Sequence, residues 1–317
     1  MSAAAGRLRE ALRAYVAFWD RRESPTVLAL VRIGVAVVLL CDFLSAAGSG
    51  LVTAVWAAPP AGLGYAAAPW LVRALGGATP HTAWVFWGLA VGALVLFGAG
   101  LATRAAGVVF VLASAQLGLV APDSDRGIDI LLRVVIGVLV FSGSHYTWSV
   151  DAWVRRRLGR PYPTEIPAWP RHVLFLQLVW MYFSAGINKG DAHWGPLRGF
   201  SALAMILADP HFARWDAGWL ASVYPLTQVA TLATMAFEYG APLFLFASTR
   251  RARAWRVVRL GWLLLGASFH LGIAVTMRLG IFPFGMLAVW PVFFAPAVVE
   301  RVLAYARPST WRSTSLR

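Results

Sequence analysis

Apolar stretches long enough to cross a bilayer recur along this chain, and they constrain its fold more than any other feature. Eight are predicted, at 26–47, 82–101, 104–121, 127–142, 171–188, 227–247, 256–277 and 279–296. The third and fourth sit at the lower edge of spanning length. The last two are nearly continuous around Arg278. Backbone polar groups in hydrocarbon must be satisfied within helices or closed barrels, and runs of this length suit helices. The expectation is therefore all-α: a polytopic integral membrane helical bundle with about eight transmembrane helices. Composition agrees, since only 13% of the residues are charged, against roughly 25% in soluble domains. A soluble domain, a disordered chain and a disulfide-stapled scaffold are all excluded. The net charge of +14 would suggest nucleic acid in a soluble protein. Here basic membrane loops account for it, and no nucleic-acid partner is expected. The single cysteine, Cys41, can form no internal disulfide.

The arginines predict an orientation. They cluster before the first span (Arg7, Arg9, Arg13, Arg21, Arg22) and after the fourth (Arg155, Arg156, Arg157, Arg160). Two further clusters follow the sixth span (Arg250, Arg251, Arg253, Arg256) and the eighth (Arg301, Arg307, Arg312, Arg317). With eight spans these clusters share one side, which the positive-inside rule makes cytoplasmic, with both termini cytoplasmic. The first apolar run is too long for a cleavable signal and is expected to remain in the chain. Three parts are expected: an amphipathic, Arg-rich cytoplasmic N-terminal helix within 1–24, lying on the membrane lipid; a transmembrane domain over 25–297; and a short cytoplasmic tail over 298–317. On the opposite side, segments 48–81 and 189–226 are rich in Trp, Pro and Gly and can roof a cavity.

Ionisable groups inside a membrane are costly and mark function. They include Arg32, Asp42, Asp129, Arg133, Glu238, Arg259 and His270. Asp129 and Arg133 are four apart, so a helix can pair them on one face. Glu238 lies four residues before Pro242, which would bend the helix there. It reads as the partner of a buried cation or as a proton carrier. His270 is a lone histidine in an apolar span. No metal-ligand spacing, dinucleotide fingerprint, phosphate loop or nucleophile elbow occurs. No metal is expected.

Of 28 basic residues only one, Lys189, is lysine. Arginine is not deprotonated in proteins, whereas lysine can be, so a lone lysine is a candidate for chemistry that needs a neutral amine. It sits where the fifth span ends, in Tyr182-Phe-Ser-Ala-Gly-Ile-Asn-Lys-Gly-Asp-Ala-His-Trp194. Partial desolvation there favours the neutral amine. A snorkelling anchor would serve equally well as arginine.

This segment resembles the vitamin K-dependent gamma-carboxylase and the broader HTTM (horizontally transferred transmembrane) family. Lys189 falls on the family's active lysine, and Asp191 and Trp194 match too. His145-Tyr-Thr-Trp-Ser-Val-Asp151, Phe269-His270 and Gly280-Ile-Phe-Pro-Phe-Gly-Met286 are similar to further family motifs. Arg32, Asp42 and Glu238 also fall at family positions, so the resemblance covers roughly 25–296. It implies a membrane helical fold in which Lys189 is the base linked to oxygenation of reduced vitamin K or menaquinol. Asp191, Glu238 and His270 would position Lys189 or relay protons. Trp194, Asn188, Arg32, Asp129, Phe269 and Phe282 would lie toward the substrate or quinol. Two positions depart from the carboxylases. The start of the fourth span reads Arg126-Gly-Ile-Asp129 with no histidine, and Asn188 stands where they have a second lysine.

Two functional readings follow. The first is a gamma-carboxylase-like enzyme of a bacterial cytoplasmic membrane, active at its extracytoplasmic face on a carboxylate, peptide or lipid acceptor. The second is a non-enzymatic maturation or scaffold factor for a secreted peptide or partner protein. A transporter is disfavoured by the lack of an internal repeat.

Overall fold

The computed structural model describes residues 3–64, 68–250 and 252–306. Arg251, Arg307, Arg312 and Arg317, and with them most of the predicted tail, lie outside the described residues. The elements in chain order are α1 (Ala3–Trp19), β1 (Arg22–Glu23), α2 (Thr26–Gly48), α3 (Leu51–Trp56), α4 (Trp70–Ala74), α5 (Pro80–Ala99) and α6 (Thr103–Val120). They continue with α7 (Gly127–Phe141), α8 (Val150–Arg157), β2 (Ile166–Pro167), α9 (Trp169–Ile187), α10 (Ala202–Ala208) and α11 (Leu220–Tyr239). The chain closes with α12 (Ala241–Ser248), α13 (Arg253–Thr276), α14 (Phe282–Val289) and α15 (Pro296–Ala306). The fold is nearly all-α; among the described residues the exception is the antiparallel pair β1–β2, with Arg22 opposite Pro167 and Glu23 opposite Ile166.

Among the described residues, five helical segments are long and apolar enough to cross a membrane: Thr26–Gly48, Pro80–Ala99, Thr103–Val120, Ala217–Tyr239 and Arg253–Thr276. Among the other predicted spans, the fifth is the 19-residue α9, which begins with Trp169-Pro-Arg-His172 and is not among these five, and the fourth and eighth, like the far half of the sixth, take other forms. α7 has 15 residues. The sixth divides at Gly240, because Pro242 has no N–H to give the Glu238 carbonyl; that carbonyl accepts from the Gly240 N–H instead. The eighth is α14 followed by a 3₁₀ turn, and it bends by 109° into α15. Pro291 and Pro296 remove donors on either side of that bend.

The chain divides into two compact units. The first runs to Leu174 and resumes at Ala288; the second is Phe175–Leu287. In the first, Val27, Leu28, Val31, Val35 and Leu39 of α2 are buried, as are Phe97, Phe110, Leu132, Ile136 and Leu139 of α5–α7. Small residues permit close helix packing: a Cβ on Gly107 would meet Val140 Cγ2 at 2.5 Å. Gly100 ends α5 in the left-handed region (φ 72°), where a side chain would strike Ser149. Thr79 and Thr82 form a capping box at the start of α5. Arg171 donates to both oxygens of Glu23, at 2.8 and 2.9 Å, and to the carbonyl of Val292.

The second unit is built on aromatic packing. Phe244 stacks on Trp262 at 4.1 Å, and Phe237 packs on Tyr182 at 4.6 Å and on Phe269 at 5.4 Å. Trp262 Nε1 donates to the Phe237 carbonyl (2.8 Å), at the break between α11 and α12. The segment after α9 is fastened down. Gln228 Nε2 donates to the Gly199 carbonyl (2.6 Å), and the Leu203 N–H donates to Thr231 Oγ1 (3.2 Å). Farther on, Ala213 bridges Met277 and Trp215 Nε1 donates to the Val275 carbonyl (2.8 Å).

Candidate functional site

Lys189 lies just beyond the last turn of α9. Its backbone N–H still bonds the Gly186 carbonyl, and its side chain folds back so that Nζ donates to the Ala185 carbonyl (3.3 Å). A cation is favourable at a helix C-terminus. The main partner is Glu238 of α11, whose two carboxylate oxygens lie 2.7 and 2.6 Å from Nζ. Gly186 permits this approach, since a Cβ there would meet Glu238 Cβ at 3.1 Å. The Glu238 side chain is 3% exposed and that of Lys189 20% exposed. The pair is therefore sealed on the carboxylate side and open on the amine side. Trp194 covers the amine, its ring centroid 4.9 Å from Nζ, a distance at which a cation gains from the ring quadrupole.

A second polar pair lies in the same unit. His270 is fully buried, and its Nε2 is 2.7 Å from the Tyr182 hydroxyl. Phe269 (5.1 Å), Tyr182 (5.8 Å), Phe282 (5.8 Å) and Phe237 (6.5 Å) surround the imidazole. Tyr182 lies in the last turns of α9, seven residues before Lys189, which follows the helix end. Phe237, which touches Tyr182 and His270, is the neighbour of Glu238. Lys189, Glu238, Trp194, His270, Phe269 and Phe282 thus all belong to the second unit. Tyr182 was missed by sequence reasoning, although its spacing from Lys189 was available.

Other predicted residues have different partners. Asp191 is exposed and accepts the His193 N–H (2.8 Å), capping a short 3₁₀ turn and not contacting Lys189. A short carboxylate at a turn start finds its own backbone first. Asn188 is exposed and turns back to the Ser184 carbonyl (2.8 Å). Arg32 belongs to the first unit. It is fully buried and donates to the carbonyls of Ser144 and Trp148, clamping the segment after α7.

Asp129 also belongs to the first unit, and the predicted Asp129–Arg133 pair does not form. Asp129 is the third residue of α7 and turns toward the helix start, accepting from Arg126 Nε (2.8 Å) and the Arg126 N–H (3.0 Å). Carboxylates prefer that end of a helix. Arg126 also binds Asp42, and Arg133 reaches back to Asp125. This network lines a small cleft with Phe43, Trp56 and Phe110. Hydrogen bonds and charge attraction from Asp129 hold Arg126 in its charged form, as does Asp42, and raise its pKa.

Outside the spans, His145 is buried after α7, and its pKa is pushed down to about 4 by desolvation, with nearby Arg104 adding to the effect. It is neutral at physiological pH.

The family model of the HTTM domain matches residues 20–297, nearly the whole chain. The chain belongs to the HTTM family. This HTTM protein is a multi-pass membrane protein, and the match takes in both polar pairs of the second unit and the Arg32 clamp. No solved structure matches the chain.

Proposed function

We propose that this HTTM protein acts as a gamma-carboxylase-like enzyme with Lys189 as the base in quinol oxygenation, coupled to carboxylation or another modification of an acceptor. The proposal places it in a bacterial cytoplasmic membrane, with about eight spans, both termini cytoplasmic and Lys189 at the extracytoplasmic face. The observation that carries the reading is the Lys189–Glu238 pair: the only lysine of the chain stands on a buried carboxylate.

The reading requires the ammonium proton to pass to the carboxylate that already accepts from it, over 2.6 to 2.7 Å. Glu238 takes one ammonium proton. Lys189 is then a free amine on its open side, able to receive a proton from a bound hydroxyl. An arginine could not do this.

The residues present fit a reduced quinone in their chemistry. The Trp194 ring lies against the amine, and Phe269, Phe282, Tyr182 and His270 offer aromatic surface with hydrogen-bonding groups. Trp194, Phe269 and Phe282 would hold the ring, with Lys189 against a hydroxyl. Reduced vitamin K or menaquinol, when bound, supplies that acidic hydroxyl and, with dioxygen, a strong base for the acceptor. His270 and Tyr182 then serve as a buried proton-sharing pair, and Asp191 shapes the turn that carries Trp194.

The second reading, a maturation or scaffold factor for a secreted peptide or partner protein, takes the same ion pair as a brace between α9 and α11. It draws on the firmly anchored segment 189–219 as a docking surface. The two readings separate in one assay: epoxide formation from vitamin K hydroquinone or menaquinol by purified protein in nanodiscs. The enzyme reading expects epoxide from the native chain and none from Lys189→Ala or Lys189→Arg. No epoxide from folded native protein leaves the scaffold reading.

A further inference from the structure

The first unit holds a recess of about 410 Å3 that the Lys189 chemistry does not use, walled by Thr103, Arg104, His145, Tyr146, Asp151 and Tyr162. Arg104 is exposed and makes no hydrogen bond or ion pair among the described residues. His145 is 6% exposed, and its Nδ1 is buried without a hydrogen-bond partner. Buried polar atoms are rarely left so in native proteins, and His145 is one of the residues that line the recess. Tyr162 stacks on Tyr146 at 4.4 Å, and the Arg155 guanidinium lies 4.5 Å over the Tyr162 ring.

The one carboxylate in the wall, Asp151, is already engaged. It accepts from the N–H groups of Ala102 (3.0 Å) and Thr103 (3.3 Å) and from the Thr103 hydroxyl (3.3 Å) at the start of α6. What remains for a ligand is a cationic fork, phenol hydroxyls and an imidazole, with a second guanidinium behind one phenol. This set suits an oxyanion. The frame is held in advance. Ala102 (φ 47°) and Trp148 (φ 49°) adopt the left-handed region that residues with a Cβ rarely take, and Arg32 fixes the Trp148 carbonyl. The recess lies where α6 begins and after α7 ends, at the arginine-rich ends of apolar helices. Lipid phosphate groups lie at the ends of membrane-spanning helices.

We propose that this recess is a phosphate-binding site, occupied by the phosphate of an anionic lipid headgroup or by a soluble phosphate. The test uses the full chain in neutral detergent and follows thermal unfolding against added phosphatidylglycerol, phosphatidylcholine and inorganic phosphate. Native protein is expected to be stabilised saturably by phosphatidylglycerol and little by phosphatidylcholine. Arg104→Gln should raise the half-saturating concentration by about tenfold or more, the loss expected for a charge-assisted hydrogen bond. Tyr162→Phe should raise it several-fold while keeping the ring stack, and so reads the site even where Arg104→Gln fails to fold. Arg253→Gln, an exposed arginine of the other unit, should leave it unchanged. Inorganic phosphate acting with the same variant pattern identifies a soluble ligand; lipid alone acting identifies a headgroup. The proposal is overturned by the absence of saturable stabilisation, by native-like dependence in Arg104→Gln and Tyr162→Phe, or by an equal loss in Arg253→Gln.

Discussion

Arg32 and Lys189 are both cations at family positions of one membrane protein, yet their surroundings differ in kind. Arg32 is fully buried and spends its guanidinium on two backbone carbonyls, which cannot accept a proton. Lys189 is partly open and stands on a carboxylate, which can. The first arrangement holds a loop, and the second supplies the partner that the proposed proton transfer needs. On the proposed function, the partner and not the charge alone separates a proton-transfer residue from a structural one.

The sharpest way to break this comparison is to neutralise each cation. Arg32→Met leaves two buried carbonyls without donors and removes a packed side chain. It should cost about 3 kcal/mol or more, seen as a large drop in the unfolding midpoint or as loss of folded protein. Lys189→Met should fold with a smaller loss and form no epoxide. Equal destabilisation by the two substitutions would erase the distinction.

A pH titration of stability examines the first unit further. Folded His145 has a pKa near 4, against an ordinary value of 6.5. The unfolded chain therefore binds the proton first as pH falls. The stabilisation is full above about 6.5 and is lost on acidification toward about 4. His145→Gln should flatten that part of the unfolding-midpoint profile, and an unchanged profile would remove His145 from the account.

The smallest effect concerns ion pairing at α7. A double-mutant cycle between Asp125 and Arg133 should give a coupling of about 1 kcal/mol. The cycle between Asp129 and Arg133, which simple helical spacing favours, should give a value near zero. The reverse result would restore the spacing-based pairing.

These cases show what the sequence made legible. The long apolar helices follow from run length, and the break near Glu238 follows from Pro242. Glu238 in an apolar span reads as the partner of a buried cation or as a proton carrier, and the structure places Lys189 against it, 49 positions away. The partners of Arg32, Asp129 and Asp191 were not legible. Each is chosen by local competition: carbonyls freed in a strained loop, a helix start nearer than an i+4 arginine, and a turn N–H nearer than the lysine. The division of the eighth span depends on where Pro291 and Pro296 remove donors within tightly packed helices, which hydropathy does not encode.

The most direct test of the central claim uses the fact that the chain has a single lysine. In protein labelled only at lysine with 15N, one side-chain amine signal reports on Lys189 without further assignment. The account predicts that adding menaquinol to nanodisc-embedded protein shifts this signal, and that the shift is lost or strongly reduced in Glu238→Gln. A native signal that does not respond to the quinol, in protein shown to be folded, would contradict it.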